Sequence, residues 1–251
     1  MSTPKIWLDS GLSNCIILTQ MSAGTLYLVS TPIGNLSDMS FRAIEILKSV
    51  SLVAAEDTRH TGLLMAHYGI KNQFTSYHDF NKKAKAFQLI EQLLTGKSVA
   101  VVCDAGTPGI SDPAYLLVNL AVKNGIQIVP IPGPTAFVTA LVISGLPTDR
   151  FVFEGFLPVK SGRRGKRLQF LKEESRTMIF YESPHRVLKT LNEMQQIFGD
   201  RRVSLSRELT KKFEETMRGK ISELKAELEG KSIKGEFVLV VAGWSEENAP
   251  E

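Results

Sequence analysis

Short, almost wholly apolar segments recur along this 251-residue chain, and stretches whose apolar residues fall at helical spacing separate most of them. Residues 25–29, 51–55, 98–103 and 127–131 read as strands. Between them, helices are expected from a cap at Ser37 or Asp38 through Lys48, over 83–94 and over 113–124, the last two closed by Gly96 and Gly125. Parallel neighbours in a sheet need a crossover long enough to hold a helix. The alternation therefore points to an α/β protein with a mostly parallel first sheet. Further strands are expected at 151–155, 177–181, 202–206 and 237–242, with helices at 136–144, 165–172, 186–198 and 222–229. The reading is two α/β domains, 24–131 and 132–243, with a ligand cleft between them. Residues 1–23 are expected to form a flexible tail, in which Met21 is a possible start, and 244–251 a second tail.

Ligands of open α/β sheets sit beyond the carboxyl ends of the strands. Two Pro/Gly-rich loops stand at such places, Asp104-Ala-Gly-Thr-Pro-Gly-Ile-Ser-Asp-Pro113 and Pro130-Ile-Pro-Gly-Pro-Thr-Ala136. Glycine lets a ligand approach the backbone closely and proline sets the loop shape in advance.

Composition narrows the function. The net charge of +4 is uneven: residues 159–235 hold 19 Lys/Arg against 11 Asp/Glu, and the rest of the chain 11 against 15. A basic second half favours a polyanionic partner, most commonly nucleic acid. Lys160-Ser-Gly-Arg-Arg-Gly-Lys-Arg167 reads as a basic loop able to lie along a phosphate backbone through Lys160, Arg163, Arg164, Lys166 and Arg167. Two cysteines, Cys15 and Cys103, allow neither a disulfide framework nor a cysteine zinc site, and no metal is expected. No apolar run approaches the ~20 residues of a membrane helix, so a cytoplasmic protein without membrane contact is expected.

Several common chemistries lack their signatures. The first strand is followed by Thr31-Pro-Ile-Gly-Asn35 and not by a dinucleotide glycine fingerprint, and neither a P-loop nor a serine-hydrolase elbow occurs. Two polar clusters at strand ends remain. Glu56-Asp-Thr-Arg-His-Thr61 follows the second strand, where Asp57 or Thr58 would also cap a helix through His67. In Phe180-Tyr-Glu-Ser-Pro-His-Arg186, Tyr181 suits an aromatic ring, while His185 and Arg186 suit phosphate.

Taken in order, Thr31-Pro-Ile-Gly-Asn-Leu36, Ala55-Glu-Asp-Thr-Arg-His-Thr61, Asp104-Ala-Gly-Thr-Pro108, Ile110-Ser-Asp-Pro113, Pro132-Gly-Pro134, Glu154-Gly-Phe-Leu-Pro158, Phe180-Tyr-Glu-Ser183, Arg207-Glu-Leu-Thr-Lys211 and Gly235-Glu-Phe237 match one family. Over about residues 24–243 the chain resembles the ribosomal RNA small subunit methyltransferase I family, ribose 2′-O-methyltransferases of the tetrapyrrole-methylase-like class. The resemblance implies two α/β domains of the class III methyltransferase type, not a Rossmann methyltransferase. It implies a homodimer that binds S-adenosylmethionine in the cleft, mostly through loop backbone. The expected reaction is methylation of the 2′-oxygen of a decoding-centre cytidine in small-subunit ribosomal RNA, naked or in the assembled subunit.

By position, the cofactor contacts implied are Pro32, Asp104, Gly106, Thr107, Ile110, Thr135, Ala136, Tyr181 at the adenine, Gly235 and Glu236. Three departures stand out: Gly109 where members usually have a bulkier apolar residue, Ala114 where they have Gly, and no helical extension after Trp244. A ribose hydroxyl is a poor nucleophile, so a general base or an oxyanion-stabilising cation is expected. Candidates are Asp57, Arg59, Glu182 and His185, with Arg59 and Asp57 first because they end the second strand beside the donor. The competing readings are a tetrapyrrole C-methyltransferase and a non-catalytic ribosome-binding protein.

Overall fold

The central strand of the first sheet, β4 (Val99–Val102), is buried on both faces, and its four aliphatic residues show how the domain is layered. Val99 and Val101 face one core with Leu89, Leu93 and Leu117, while Ala100 and Val102 face another with Ala43, Leu47 and Ile131. Only a sheet covered by helices on both sides buries successive side chains in this way. The computed structural model describes residues 23–246, so the expected N-terminal tail, apart from its last residue, and most of the C-terminal one lie outside the described residues.

The other strands of this sheet are β1 (Leu26–Val29), β2 (Leu52–Ala55), β3 (Phe74–Ser76) and β5 (Ile128–Ile131). All are parallel, in the order β3-β2-β4-β1-β5. The connecting helices are α1 (Phe41–Ser49), α2 (Thr58–His67), α3 (Lys82–Leu94) and α4 (Ala114–Lys123). The cap of α1 differs from expectation. Ser40 accepts from the Ala43 N–H at 3.1 Å, whereas Ser37 and Asp38 lie in a separate 3-10 turn that Asn35 caps. Asp57 caps α2, accepting from the Arg59 N–H at 2.8 Å.

The second half builds α5 (Ala136–Ile143), β6 (Phe151–Phe156), α6 (Ser161–Phe170), β7 (Thr177–Glu182), α7 (Val187–Phe198), β8 (Arg202–Arg207), β9 (Glu215–Lys220), α8 (Ile221–Leu228) and β10 (Phe237–Val241). Its sheet runs β6-β7-β10-β8-β9, with β6 and β7 parallel and the other pairings antiparallel. Met178, Phe180, Leu205, Leu239 and Val241 share one core with α6, α7 and α8, while α5 covers the other face at Ile179, Val238 and Val240. Arg201 is 1% exposed and, among the described residues, forms no ion pair with a carboxylate. Its guanidinium instead donates to the Phe198 carbonyl at the end of α7 and to the Lys172 carbonyl just beyond α6. Two helix C-termini supply the partial negative charge that an acid would otherwise give.

The basic segment 160–167 corrects the sequence reading. It is not a loop: α6 starts at Ser161 and carries Arg163, Arg164, Lys166 and Arg167. Arg164 and Leu168, four residues apart, form its buried stripe.

Candidate functional site

The loops after β1, β4 and β5 converge where the two sheets meet, and direct hydrogen bonds join them. Thr31 and Gly106 exchange backbone bonds of 2.9 and 3.1 Å. The Thr107 hydroxyl lies 3.0 Å from that of Ser30 and 2.7 Å from that of Thr135, at the crossing into the second half. A Cβ at Gly133 would fall 2.7 Å from the Cβ of Ser30, so no larger residue fits this joint. Ile33, in the first loop, packs into the core of the second sheet with Leu209 and Val238.

Around this junction lies a cavity of about 540 Å³. Its first wall is the 104–112 loop with Glu56; its second comes from Phe156, Tyr181–Pro184 and Gly235–Val238. A volume of this order suits a nucleoside-sized ligand. Beside it is a cavity of about 350 Å³ behind Thr31–Gly34, His60, Leu63 and Lys211. Asp104 and Glu236 wall both cavities.

The electrostatics of the first wall are one-sided. Burial pushes the Glu56 carboxyl above its ordinary range, and the nearby carboxylates of Asp104 and Asp112 push it further. Burial likewise raises Asp112. Among the described residues no Lys or Arg forms an ion pair with Glu56, Asp104 or Asp112; only His60 approaches Asp104, at 3.9 Å. The Cys103 thiol, at the same junction, is pushed up to about 12, chiefly by burial, and is held as a neutral thiol. On the opposite wall Tyr181 stands edge-on to Phe153 at 5.0 Å and beside Phe156 at 5.4 Å. Its phenol is also pushed up to about 12 by burial.

A family model described as Tetrapyrrole (Corrin/Porphyrin) Methylases matches residues 25–225, most of the chain. The chain belongs to the tetrapyrrole methylase family. Within it, a Halalkalibacterium halodurans protein named ribosomal RNA small subunit methyltransferase I is 51% identical over 91% of this chain and 79% of its own length. An Escherichia coli O157:H7 protein of the same name is 50% identical over 88% of this chain and 79% of its own. Solved structures share the fold at lower identity. Uroporphyrin-III-C-methyltransferase from Thermus thermophilus gives a TM-score of 0.61 at 20% identity, covering 91% of this chain and 100% of that one. A cobalt precorrin-4 methyltransferase gives 0.64 at 16%, covering 87% and 94%.

As in the sequence reading, this methylase is an α/β protein of the tetrapyrrole methylase type. Of the residues expected at the cofactor, Asp104, Gly106, Thr107, Ile110, Thr135, Ala136, Tyr181, Gly235 and Glu236 all line the larger cavity. Pro32 faces the smaller one. The segment after β2 is arranged differently from the expectation. Asp57 and Arg59 wall neither cavity. Arg59 is 90% exposed, and both its Nε and its Nη2 bond Asp57, whose carboxyl this pairing and the α2 cap hold well below the usual range. Asp57 is thus spent on the helix and on Arg59, and Glu56, one residue earlier, is the carboxylate of this segment that enters the cavity.

The expected RNA contacts divide. Arg164 is 1% exposed, donates to both carboxylate oxygens of Glu193 at 2.6 Å and bonds the Val159 carbonyl at 3.0 Å, so it faces the core and not solvent. Arg167 makes a two-pronged pair with Glu154 at 2.7 and 2.8 Å. Arg186 pairs with buried Glu182 at 2.7 Å, which also accepts from the Thr190 hydroxyl, so Glu182 is committed to structure. Lys160, Arg163 and Lys166 are exposed and, among the described residues, unpaired. His185 is exposed and walls neither cavity. The sequence reading gave no role to Glu56, Asp112 or Lys211. Their motifs were visible, but nothing in them told which member faces a ligand.

Proposed function

We propose that this methylase transfers a methyl group from S-adenosylmethionine to the ribose 2′-oxygen of a decoding-centre cytidine in small-subunit ribosomal RNA. The observation that carries the donor is the set of three carboxylates, Glu56, Asp104 and Asp112, gathered in one cavity whose wall has no Lys or Arg among the described residues. A phosphate-bearing cofactor would be repelled there, whereas a ligand with a sulfonium and an ammonium would relieve the mutual repulsion that adds to burial in raising Glu56. Backbone of the 104–112 loop, the Thr107 and Thr135 hydroxyls and the Tyr181 ring are the groups that would hold it. When bound, S-adenosylmethionine supplies a methyl already activated by positive sulfur. The chain's own task is to align the acceptor with that methyl and to exclude competing water.

Ribosomal RNA as acceptor is supported by relatives near 50% identity that carry that name. It is also supported by the exposed cations Lys160, just before α6, and Arg163 and Lys166 on it, close in sequence to the cavity residue Phe156. We infer a homodimer acting in the cytoplasm, on RNA or on the assembled small subunit. No helix among the described residues is long and apolar enough to cross a membrane.

Calorimetry with S-adenosylmethionine, followed by mapping of ribose methylation on small-subunit RNA from cells lacking the protein, tests the reading. Expected are heat on mixing and one missing ribose methyl. Absence of heat would leave a ribosome-binding protein, and methyl incorporation into uroporphyrinogen instead of RNA would leave a tetrapyrrole C-methyltransferase.

A further inference from the structure

The turn after β8 is held more tightly than a surface connection requires. Glu208 and Thr210 both have left-handed backbone, with φ of 52° and 67°, in a stretch with no glycine to ease it. Such conformations persist only where the surroundings over-determine them, and they gather at working sites. The surroundings here are explicit. The Glu208 N–H donates to the Glu236 carbonyl at 3.0 Å, and the Glu236 N–H donates to Glu208 Oε1 at 3.1 Å. Gly235, at φ 98°, lies so close that a Cβ there would sit 2.6 Å from Glu208 Cγ. From the other domain, a Cβ at Gly34 would meet Lys211 Cγ at 2.4 Å.

What the turn presents is Lys211. Its Nζ donates to Glu208 Oε1 at 3.0 Å and to Glu236 Oε2 at 2.9 Å, and its side chain is 29% exposed. An ammonium has three N–H donors, and two are used. Lys211 walls the smaller cavity, whose boundary with the larger one is marked by Asp104 and Glu236. It is the one Lys or Arg side chain on either cavity wall among the described residues.

We propose that Lys211 is a catalytic residue of the acceptor site: its remaining N–H donates to the ribose 2′-oxygen at the boundary of the two cavities and stabilises the negative charge that develops there. This rests on the donor and acceptor assigned under Proposed function. In the transfer, the new O–C bond forms as the donor's C–S bond breaks with its electron pair passing to sulfur. The hydroxyl proton passes to the Asp104 carboxylate. Lys211 is not the base: both carboxylates keep it charged, raising its pKa above the ordinary lysine value despite partial burial. Glu208 and Glu236 fix its position and stay out of the proton transfer.

The test compares Lys211→Met and Lys211→Arg with Lys212→Met, which removes the same charge from the exposed neighbouring residue. Three measurements are made on the full chain: S-adenosylmethionine affinity by calorimetry, binding of unmethylated small subunits without donor, and methyl transfer to those subunits between pH 7 and 9.5. Lys211→Met should bind donor within twofold of wild type, bind subunits a few-fold more weakly, and lose ~10²–10³ in kcat at pH 7, as when one oxyanion donor is removed. Its rate should recover as pH rises, while wild type, whose Lys211 stays charged, changes little. Lys211→Arg should keep most of the rate, and Lys212→Met should match wild type throughout. A Lys211→Met enzyme with kcat within twofold of wild type overturns the proposal. So does one that loses donor affinity and thermal stability together with rate, which would make Lys211 structural. Wild-type protein that binds donor but methylates no subunit refutes the acceptor reading, and this proposal with it.

Discussion

Among the described residues, the wall built after β2 and β4 leaves Glu56, Asp104 and Asp112 without a Lys or Arg ion pair, whereas the facing wall pairs Glu182 with Arg186 and Glu236 with Lys211. Partly buried carboxylates that share a cavity without a cation repel one another unless a ligand answers them, while paired ones fix geometry. Under the proposed function the first wall is the one that answers the donor's positive charge, whereas the facing wall pairs its carboxylates within the protein. Even in the basic segment 160–167, Arg164 and Arg167 serve the fold, and Lys160, Arg163 and Lys166 are the ones that face outward without a partner among the described residues.

The largest effect should come from filling the space between the walls. Ala136→Trp is expected to abolish S-adenosylmethionine binding in calorimetry while leaving the circular dichroism spectrum and Tm near wild type. Equal affinity would move the donor elsewhere. Arg164→Ala should destabilise by about 2–3 kcal/mol in urea unfolding, the range for breaking a buried pair discounted because Glu193 is partly exposed. Glu56→Gln combined with Asp112→Asn should weaken donor binding about tenfold, roughly 1.4 kcal/mol. Both carboxyls titrate above their ordinary values, so a cationic ligand meets a less negative wall as pH falls. Wild-type affinity should accordingly drop as pH is lowered toward 5, and the double variant should respond less. A wall without a bound cation would show no such difference.

Smaller changes separate the two kinds of cation on α6. Replacing Lys160, Arg163 and Lys166 by Ala should leave stability unchanged and reduce the log–log salt slope of RNA binding by about 2–3, at roughly 0.7–0.9 per phosphate contact. An unaltered slope would show that RNA lies elsewhere. The smallest effect is expected at Asp57. Asp57→Ala should lower Tm through the lost α2 cap, and Asp57→Asn, which keeps an acceptor, should restore it. Turnover should change little in either; a collapse in both would return this segment to catalysis.

Strands such as β1, β4 and β10 were legible because their residues are apolar in unbroken runs, and β8 because Val203 and Leu205 alternate with serines. β3 and β9 were not. β3 is three residues at a sheet edge with Phe74 exposed, and β9 buries only Met217 among polar neighbours. The start of α6 was hidden by Gly162 and Gly165, residues of poor helix propensity that read as loop. What overrides them is long-range: Arg164 meets Glu193 29 positions away, and Arg167 meets Glu154 13 positions back. The cofactor loops were legible because Gly and Pro at strand ends are local signals. Which carboxylate of Glu56 and Asp57 enters the cavity was not, since that depends on whether the side chain turns back to cap α2.

The joint between the domains has a kinetic meaning. With Gly133 seated on Ser30 and the three hydroxyls of Ser30, Thr107 and Thr135 in contact, the crossing cannot act as a hinge without breaking that row. A joint of this kind favours ligand exchange by local loop movement over a fixed frame. Under the proposed function, donor and product would pass through a doorway that those loops open, so that loop movement and not a clamshell motion of the two halves would set the tempo of turnover.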